Sequence, residues 1–587
     1  MNAKTTVQRA AAITLPALLF ACGGNDGGGT PTPPVNPPAA LSIVGTAATG
    51  AAIAGGSVTA KCAAGTATPV LTAADGSYSV SVTSGALPCV LQVTTAGGAT
   101  SLYSVATGSG TSATANITPL TQLVVASLSG ADPAVLFAGF GSSNAGTVTS
   151  ATVAGAQAAV VLTLRTAGID LGTLGDFVTG SLTAATATAS GNAYDVALDT
   201  LHAKLAATVD TDGHAMTLAT LTEAVAAASP SAPPAAPSSK ISLPPELLLK
   251  PSASTCSALR SGVYRVVEPT PGAGLTAQTG KITVDAATLG LVFTDGSTGT
   301  LAPHATEACH FTNDGGKSDL VVSQAGVIVI RSFDSGTGKY TAGIAVPEQA
   351  HTLAELAGTW NTLGMQYDTA QAAYVGTTAT ATLSATGTVS NVSSCGDAGD
   401  WNVAVCAAVT SGLPSFQVDP AGGFDAIDAG ATAPSGRTFA YRSGSGDLMM
   451  VNVDGDGSFE VRTQAKANDA PAVGRVNTTW DVRYTNQWLA TPSVTESTNT
   501  VQSVDATAGS FVRLAKTVGG TDEHLETVLL NSPRAGYNFR AAATVLGTDG
   551  TTSVPVSEWT NLGLHGMGLN ALLRPAQKQF MFSVQQP

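Results

Sequence analysis

Charge is scarce in this chain. Only 11% of its 587 residues are Asp, Glu, Lys or Arg, and the formal net charge is −14. Without a cluster of Lys or Arg, the chain lacks the electrostatic footprint that nucleic acid or an anionic lipid surface demands. Aromatic residues make up 5%, and the sequence closes on Gln-Gln-Pro. Both features argue against a membrane-spanning β-barrel, which carries girdles of aromatic side chains. Beyond residue 22 no apolar run approaches the ~20 residues that a spanning helix requires. Catalytic signatures are missing too: there is no GxSxG elbow, no HExxH and no phosphate-binding loop. No two cysteines form a CxxC, so nothing signals a thiolate zinc site. What fills the chain is Thr, Ser, Ala, Val and 65 glycines, a composition that covers its surface with hydroxyls.

The N-terminus carries the most specific local signal. Lys4 and Arg9 precede an apolar run, Ala10 to Phe20, too short to span a bilayer. It ends in Leu19-Phe20-Ala21-Cys22, followed by the Gly- and Pro-rich stretch 23–40. This arrangement resembles the lipobox of bacterial lipoproteins, departing from it at Phe20, where a small residue is usual. The resemblance implies that residues 1–21 are a signal peptide and that Cys22 becomes the lipid-bearing (palmitate-carrying) first residue. Residues 22–40 then form a tether. Several acyl chains at ~0.8 kcal/mol per buried methylene would hold such a protein permanently. Gly23 stands where an Asp would imply inner-membrane retention, so the resemblance points to the outer membrane and leaves its face open. Losing residues 1–21 removes two basic residues and no acid, taking the charge from −14 to −16.

The other six cysteines fall into neighbouring pairs: Cys62 with Cys89, Cys256 with Cys309, and Cys395 with Cys406. In an oxidising compartment that even count reads as three local disulfides, each contributing roughly 3–4 kcal/mol for loops of these lengths.

The chain divides by pattern. Residues 41–118 show short alternating runs broken by Gly, Asp-Gly or Pro, which predicts an antiparallel β-sandwich of about seven strands. Within it, Gly56 and Val58, then Asp75, Gly76 and Tyr78, resemble the carboxypeptidase regulatory-like (prealbumin-like) sandwich over about 75 residues. That family is a spacer and binding scaffold and implies no peptidase. Tyr78 is expected in the core.

Residues 119–228 shift to helical spacing. Asp132-Pro133 has helix-start chemistry, 149–167 reads as a helix closed by Gly168, 192–207 places Tyr194, Leu198, Leu201 and Leu205 on one face, and 216–228 is a third helix. His202 is expected to be solvated. Residues 229–250, opening SPSAPPAAPSS, read as a linker. Three β modules follow: 251–354, 355–475 and 476–587. A weak repeat opens each on an aromatic, in Gly262-Val263-Tyr264, Gly358-Thr359-Trp360 and Thr478-Thr479-Trp480. Arg442 and Arg574 each stand six residues before a hydrophobic strand. Small barrels or sandwiches are expected; the GTW opening resembles that of lipocalin-like barrels over three residues only.

The strongest constellation of ion ligands is Asn452, Asp454, Asp456 and Glu460. Oxygen ligands at positions 1, 3 and 5 with Gly457 at 6 follow the first half of a calcium (Ca2+) loop, but Thr463 stands at position 12. The same residues also suit a β-turn between two strands. His304 and His310 would share a strand face, but no third ligand is evident. The expectation is therefore a mainly β, lipid-anchored envelope or surface protein without catalysis, attached to the membrane through Cys22 and binding a polysaccharide or protein, or serving structurally. The alternative is a hydrolase of glycan or peptide with dispersed carboxylates.

Overall fold

The structure, a computed structural model, describes residues 40–586 apart from 99, 173, 211–212, 232–241, 271, 314, 335–337, 396–405, 485–491, 521–522 and 549–552. The expected signal peptide, the expected lipid-bearing Cys22 and the expected tether as far as residue 39 lie outside the described residues. The chain is mainly β.

The strands of its N-terminal part, six against the seven or so expected for a sandwich, are all linked by hydrogen bonds into one sheet. The reason is the 18-residue strand Ser77–Thr94, long enough at about 3.3 Å per residue to serve both layers. One edge of it pairs with Ser57–Ala67. The other pairs first with Leu41–Thr46 and then with Ser101–Ala106. It turns at Gly85, where a Cβ would come within 2.8 Å of the Leu41 and Val82 side chains. Cys62 faces Cys89 across this pairing and is bonded to it. Tyr78 is buried, its hydroxyl donating to the Ala115 carbonyl.

Six α-helices follow among the described residues: α1 (Pro119–Ser129), α2 (Pro133–Gly139), α3 (Ser150–Thr166), α4 (Ala193–Ala206), α5 (Leu218–Ala227) and α6 (Pro245–Leu248). The starts of α1 to α5 carry side-chain caps, while α6 begins on Pro244-Pro245 without one. Asp132, Thr149, Asn192 and Thr217 each accept from a backbone N–H of the first turn. Helix α1 escapes a periodicity test because residues 119–127 are all buried, so no polar stripe marks it. It packs on Ser101–Ala106 and on α3 and α5. His202 is exposed on α4. No single described helix is long and apolar enough to cross a membrane.

The expected linker 229–250 needs correction at its C-terminal end. Leu243, Leu247, Leu248 and Leu249 are buried, and α6 packs on α3 and α5. A stretch reading LPPELLLK is too apolar to remain a tether.

The C-terminal half holds three meanders of the same design, in which the first and last strands pair. In the third, eight strands from Val476–Tyr484 to Gln579–Gln585 form a closed barrel. In the first, Gly262–Val267 pairs with Lys339–Pro347. Its fourth strand is kinked at Leu301: Thr298–Thr300 pairs with the third strand, Ala302–Pro303 with the fifth. In the second, Gly358–Asp368 pairs with Phe459–Gln464. Its fourth strand is split into Ala407–Val409 and Ser415–Val418. All three are thus eight-strand, barrel-like meanders. Cys256–Cys309 and Cys395–Cys406 are bonded, as Cys62–Cys89 is.

The three barrels pack in a cycle. The first and last strands of the first barrel meet Gly436–Arg442 and Leu448–Asp454 of the second. The first strand of the second meets Trp559–Leu564 and Leu569–Arg574 of the third, and the first strand of the third returns to Ile328–Asp334 of the first. Each contact uses the sixth or seventh strand of the next barrel. The turns between those strands converge: the Tyr441 hydroxyl, just before the 443–447 turn, donates to the Ala325 carbonyl, and Gly568 abuts Gln324. At Gly566 (φ +68°) a Cβ would lie 2.3 Å from Ser445 Oγ, so only glycine fits. One continuous hydrophobic core joins the N-terminal sheet, the helices and residues of all three barrels. Residues 40–587 accordingly form one compact unit.

Candidate functional site

Alternation along a strand sends neighbouring side chains to opposite faces. In Val476–Tyr484 the residues Trp480, Val482 and Tyr484 join the shared core outside the third barrel. Thr479, Asp481 and Arg483 therefore point into its lumen. The other strands repeat the rule. Phe580 and Phe582 pack edge-on against Phe459 of the second barrel, at 5.7 and 6.1 Å between ring centroids, while Met581 and Ser583 face inward. This barrel is apolar outside and largely polar inside. Its lumen is a cavity of about 290 Å³ with residues from all eight strands in its wall. An apolar cluster that includes Phe511, Val528 and Trp559 fills part of the interior. Val554, Pro555 and Val556, from a hairpin between the fifth and sixth strands, complete the wall.

Four arginines enter this lumen (Arg483, Arg513, Arg540 and Arg574), against two carboxylates, Asp481 and Glu526. Both carboxylates are fully engaged. Glu526 is 3% exposed; Arg513 Nε donates to it at 2.6 Å and Arg540 bonds its other oxygen. Burial alone would raise the Glu526 carboxyl; Arg513, His524 and Arg540 outweigh it and hold the group far below the usual carboxylate range. Asp481 accepts from Thr479 (3.1 Å), Ser497 (2.7 Å), Ser583 (2.7 Å) and Arg483 (3.2 Å). Arg513 and Arg540 also lie over the Trp559 ring, 5.3 and 5.5 Å from its centroid. Arg574 is different. Its guanidinium makes no hydrogen bond and no ion pair among the described residues, and its Nε is shut off from solvent. Burial, then Arg483 and Arg540 nearby, pull it down to about 10. The lumen thus holds more guanidinium than its own carboxylates neutralise, and a planar oxyanion is the natural complement of that excess.

The other lumens differ. The first encloses about 730 Å³ between Ile282, Leu291, Phe293 and Glu268. The second encloses about 590 Å³, with Trp360, Phe416 and Met450 among its apolar residues and Asn452, Asp454, Glu460 and Arg462 among its polar ones.

The predicted ion ligands line this second lumen, but they do not form a metal cluster. Asn452 accepts from Thr438 at 2.7 Å, Asp456 caps the Ser458 N–H at 2.8 Å, and Glu460 pairs with Arg462 at 2.7 Å. The stretch is a tight turn, closed by Gly457 N–H to Asp454 O at 2.9 Å. Strand alternation spreads the carboxylates instead of wrapping them round a point. Burial and then the Glu460 charge push Asp454 up to about 7. Among the described residues, one group of three His, Cys, Asp or Glu brings its ligand atoms within 4.8 Å of one another: His304, Glu307 and His310. Glu307 is the third potential donor, which spacing alone did not supply.

The four lumen arginines were missed because they are scattered from residue 483 to residue 574, each on a different strand. A usable signal existed in runs such as Thr-Trp-Asp-Val-Arg-Tyr, where charge alternates with aromatic or aliphatic residues.

No family model and no curated protein matches the chain. Among solved structures it is similar to a protein of unknown function from the DUF3598 family of Nostoc punctiforme, at 12% identity over 41% of this chain and 100% of that one, with a TM-score of 0.14. It is also similar to transferrin binding protein B of Neisseria meningitidis serogroup B, at 7% identity over 53% of this chain and 63% of that one, with a TM-score of 0.17. A mutant of the same protein from Haemophilus parasuis gives 8% identity over 53% and 66%, with a TM-score of 0.16. TM-scores this low establish neither a shared fold nor a shared ligand.

Proposed function

We propose that this is a non-catalytic envelope protein, lipid-anchored through Cys22 at the outer membrane, that holds a small anionic ligand in the lumen of its third barrel. The observation that carries the ligand class is Arg574, a guanidinium inside the lumen without a partner among the described residues. A carboxylate, phosphate or sulfate group would pair with it in the bidentate manner guanidinium favours. The volume suits a compact molecule or the acidic end of a glycan rather than a folded partner. The lumen carboxylates support a binding role over a hydrolytic one. Asp481 and Glu526 are already saturated by donors, leaving neither free as acid, base or nucleophile.

The test starts from Cys22→Ser, which should move the protein from the membrane pellet to the soluble fraction. Calorimetry on that protein with phosphate, sulfate, citrate and glucuronate should find a binding anion, and Arg574→Gln should weaken it about tenfold or more. No heat with any anion at tens of millimolar, or equal binding by the Arg574→Gln variant, would overturn the reading.

A further inference from the structure

Away from the anion lumen, the first barrel carries a second constellation. Its fourth and fifth strands form a hairpin in which Ala302 pairs with Thr312 and Pro303 with Phe311. The pairing continues to His304, whose N–H donates to the His310 carbonyl at 2.8 Å. Cys309 adopts φ +62° and is bonded to Cys256, which pins the returning strand. The two histidines therefore face each other across the hairpin, their rings stacked 4.8 Å apart and within 10° of parallel. Glu307, in the loop between them, turns its carboxylate back to the Nδ1 atoms of both rings. Its Oε2 lies 2.7 Å from His310 Nδ1, and its Oε1 lies 3.6 Å from His304 Nδ1. His304 Nδ1 is shut off from solvent and makes no hydrogen bond.

We infer that His304 Nδ1, Glu307 and His310 Nδ1 form a three-ligand site for a zinc-like divalent transition metal. A tetrahedral ion about 2.0–2.1 Å from each ligand needs donor atoms about 3.3 Å apart, and these atoms already lie within 4.8 Å of one another. Two imidazoles and one carboxylate suit zinc and its neighbours and disfavour calcium, which takes oxygen ligands. The surroundings have the form of a metal site's outer shell. His310 Nε2 lies 3.2 Å from Asp319 Oδ1, and Arg331 Nε donates to the other Asp319 oxygen at 2.6 Å. A histidine that ligates through one nitrogen and donates its other N–H to a carboxylate is fixed in tautomer and orientation. Glu307 is held from the far side, where the Trp480 indole N–H donates to Oε2 at 2.7 Å. Trp480 belongs to the third barrel. The ion would therefore strengthen the contact at which the third barrel returns to the first and closes the cycle.

The experiment uses the full chain carrying Cys22→Ser, stripped with chelator and titrated with zinc, calcium and cobalt. One zinc per chain is expected by elemental analysis, together with a raised melting temperature and a cobalt spectrum of tetrahedral intensity. His304→Ala and Glu307→Gln should each weaken zinc at least about tenfold, by analogy with the losses that even outer-shell changes cause. Glu307→Gln keeps an oxygen for Trp480, so its metal-free melting temperature should stay near that of the parent and separate ligation from folding. His202→Ala, on an exposed helix face, should bind as the parent does. No zinc uptake at 100-fold excess, calcium bound in preference to zinc, or unchanged binding by His304→Ala would each overturn the assignment.

Discussion

The second and third barrels share one strand plan and differ in what they enclose. Both run as eight-strand meanders with first and last strands paired, and both bury an apolar outer face in the common core. Yet Trp360, which opens the second, lines its lumen and donates to the Leu356 carbonyl at 2.9 Å. Trp480, at the matching place in the sequence repeat, faces out of the third barrel towards Glu307. A shift of one residue exchanges the faces of a strand. The second lumen thereby gains an indole, while the third, beside its apolar cluster, holds four arginines. A repeat in sequence can thus preserve a meander and still not preserve which side chains are inside it.

The sharpest test of this contrast is to remove one carboxylate from each lumen. Glu526→Gln takes the nearest counter-charge from Arg513 and Arg540, and should cost about 3–5 kcal/mol in denaturant unfolding. Glu460→Gln in the second barrel breaks a pair with Arg462 in which both side chains are partly exposed, relieves repulsion on Asp454, and should cost under about 1 kcal/mol. Equal losses would mean that the two linings are energetically alike.

A smaller effect is expected from pH. Asp454 sits at about 7 in the folded chain, above its ordinary value near 4, so the folded state binds this proton more tightly. The stability it contributes is then present at low pH and is lost as pH rises from about 4 to about 7. Asp454→Asn should flatten that slope, by roughly 3 kcal/mol across the window. Glu526, inside the third barrel, acts in the opposite sense. Glu526 is held low, so its contribution is present above the ordinary carboxylate value and fades on acidification. A parent and an Asp454→Asn variant with identical pH profiles would remove the distinction.

The smallest effect should come from the two tryptophans. Trp360→Phe leaves the buried Leu356 carbonyl without its donor, and Trp480→Phe leaves Glu307 with one donor fewer. Each should cost about 1 kcal/mol. Only Trp480→Phe should also speed amide exchange in the hairpin around 304–312, because it alone bridges two barrels.

Much of the local structure was decided by neighbouring residues. Asp132, Thr149, Asn192 and Thr217 start helices because a short polar side chain reaches the free N–H groups two or three residues on, and that geometry requires no distant partner. Strand alternation was equally legible, since it follows from the pleat. Three things depended on packing. Helix α1 has no polar face because it is enclosed on every side. Glu307 joins His304 and His310 only once the hairpin folds back and Trp480 arrives from another barrel. The four arginines converge only because their strands close round one lumen. Alternation divides a strand into two faces but does not say which face is inside. In the third barrel the apolar face turned outward, since the other barrels offered it more apolar surface to bury against than a small lumen could. The charged face was left to line the cavity.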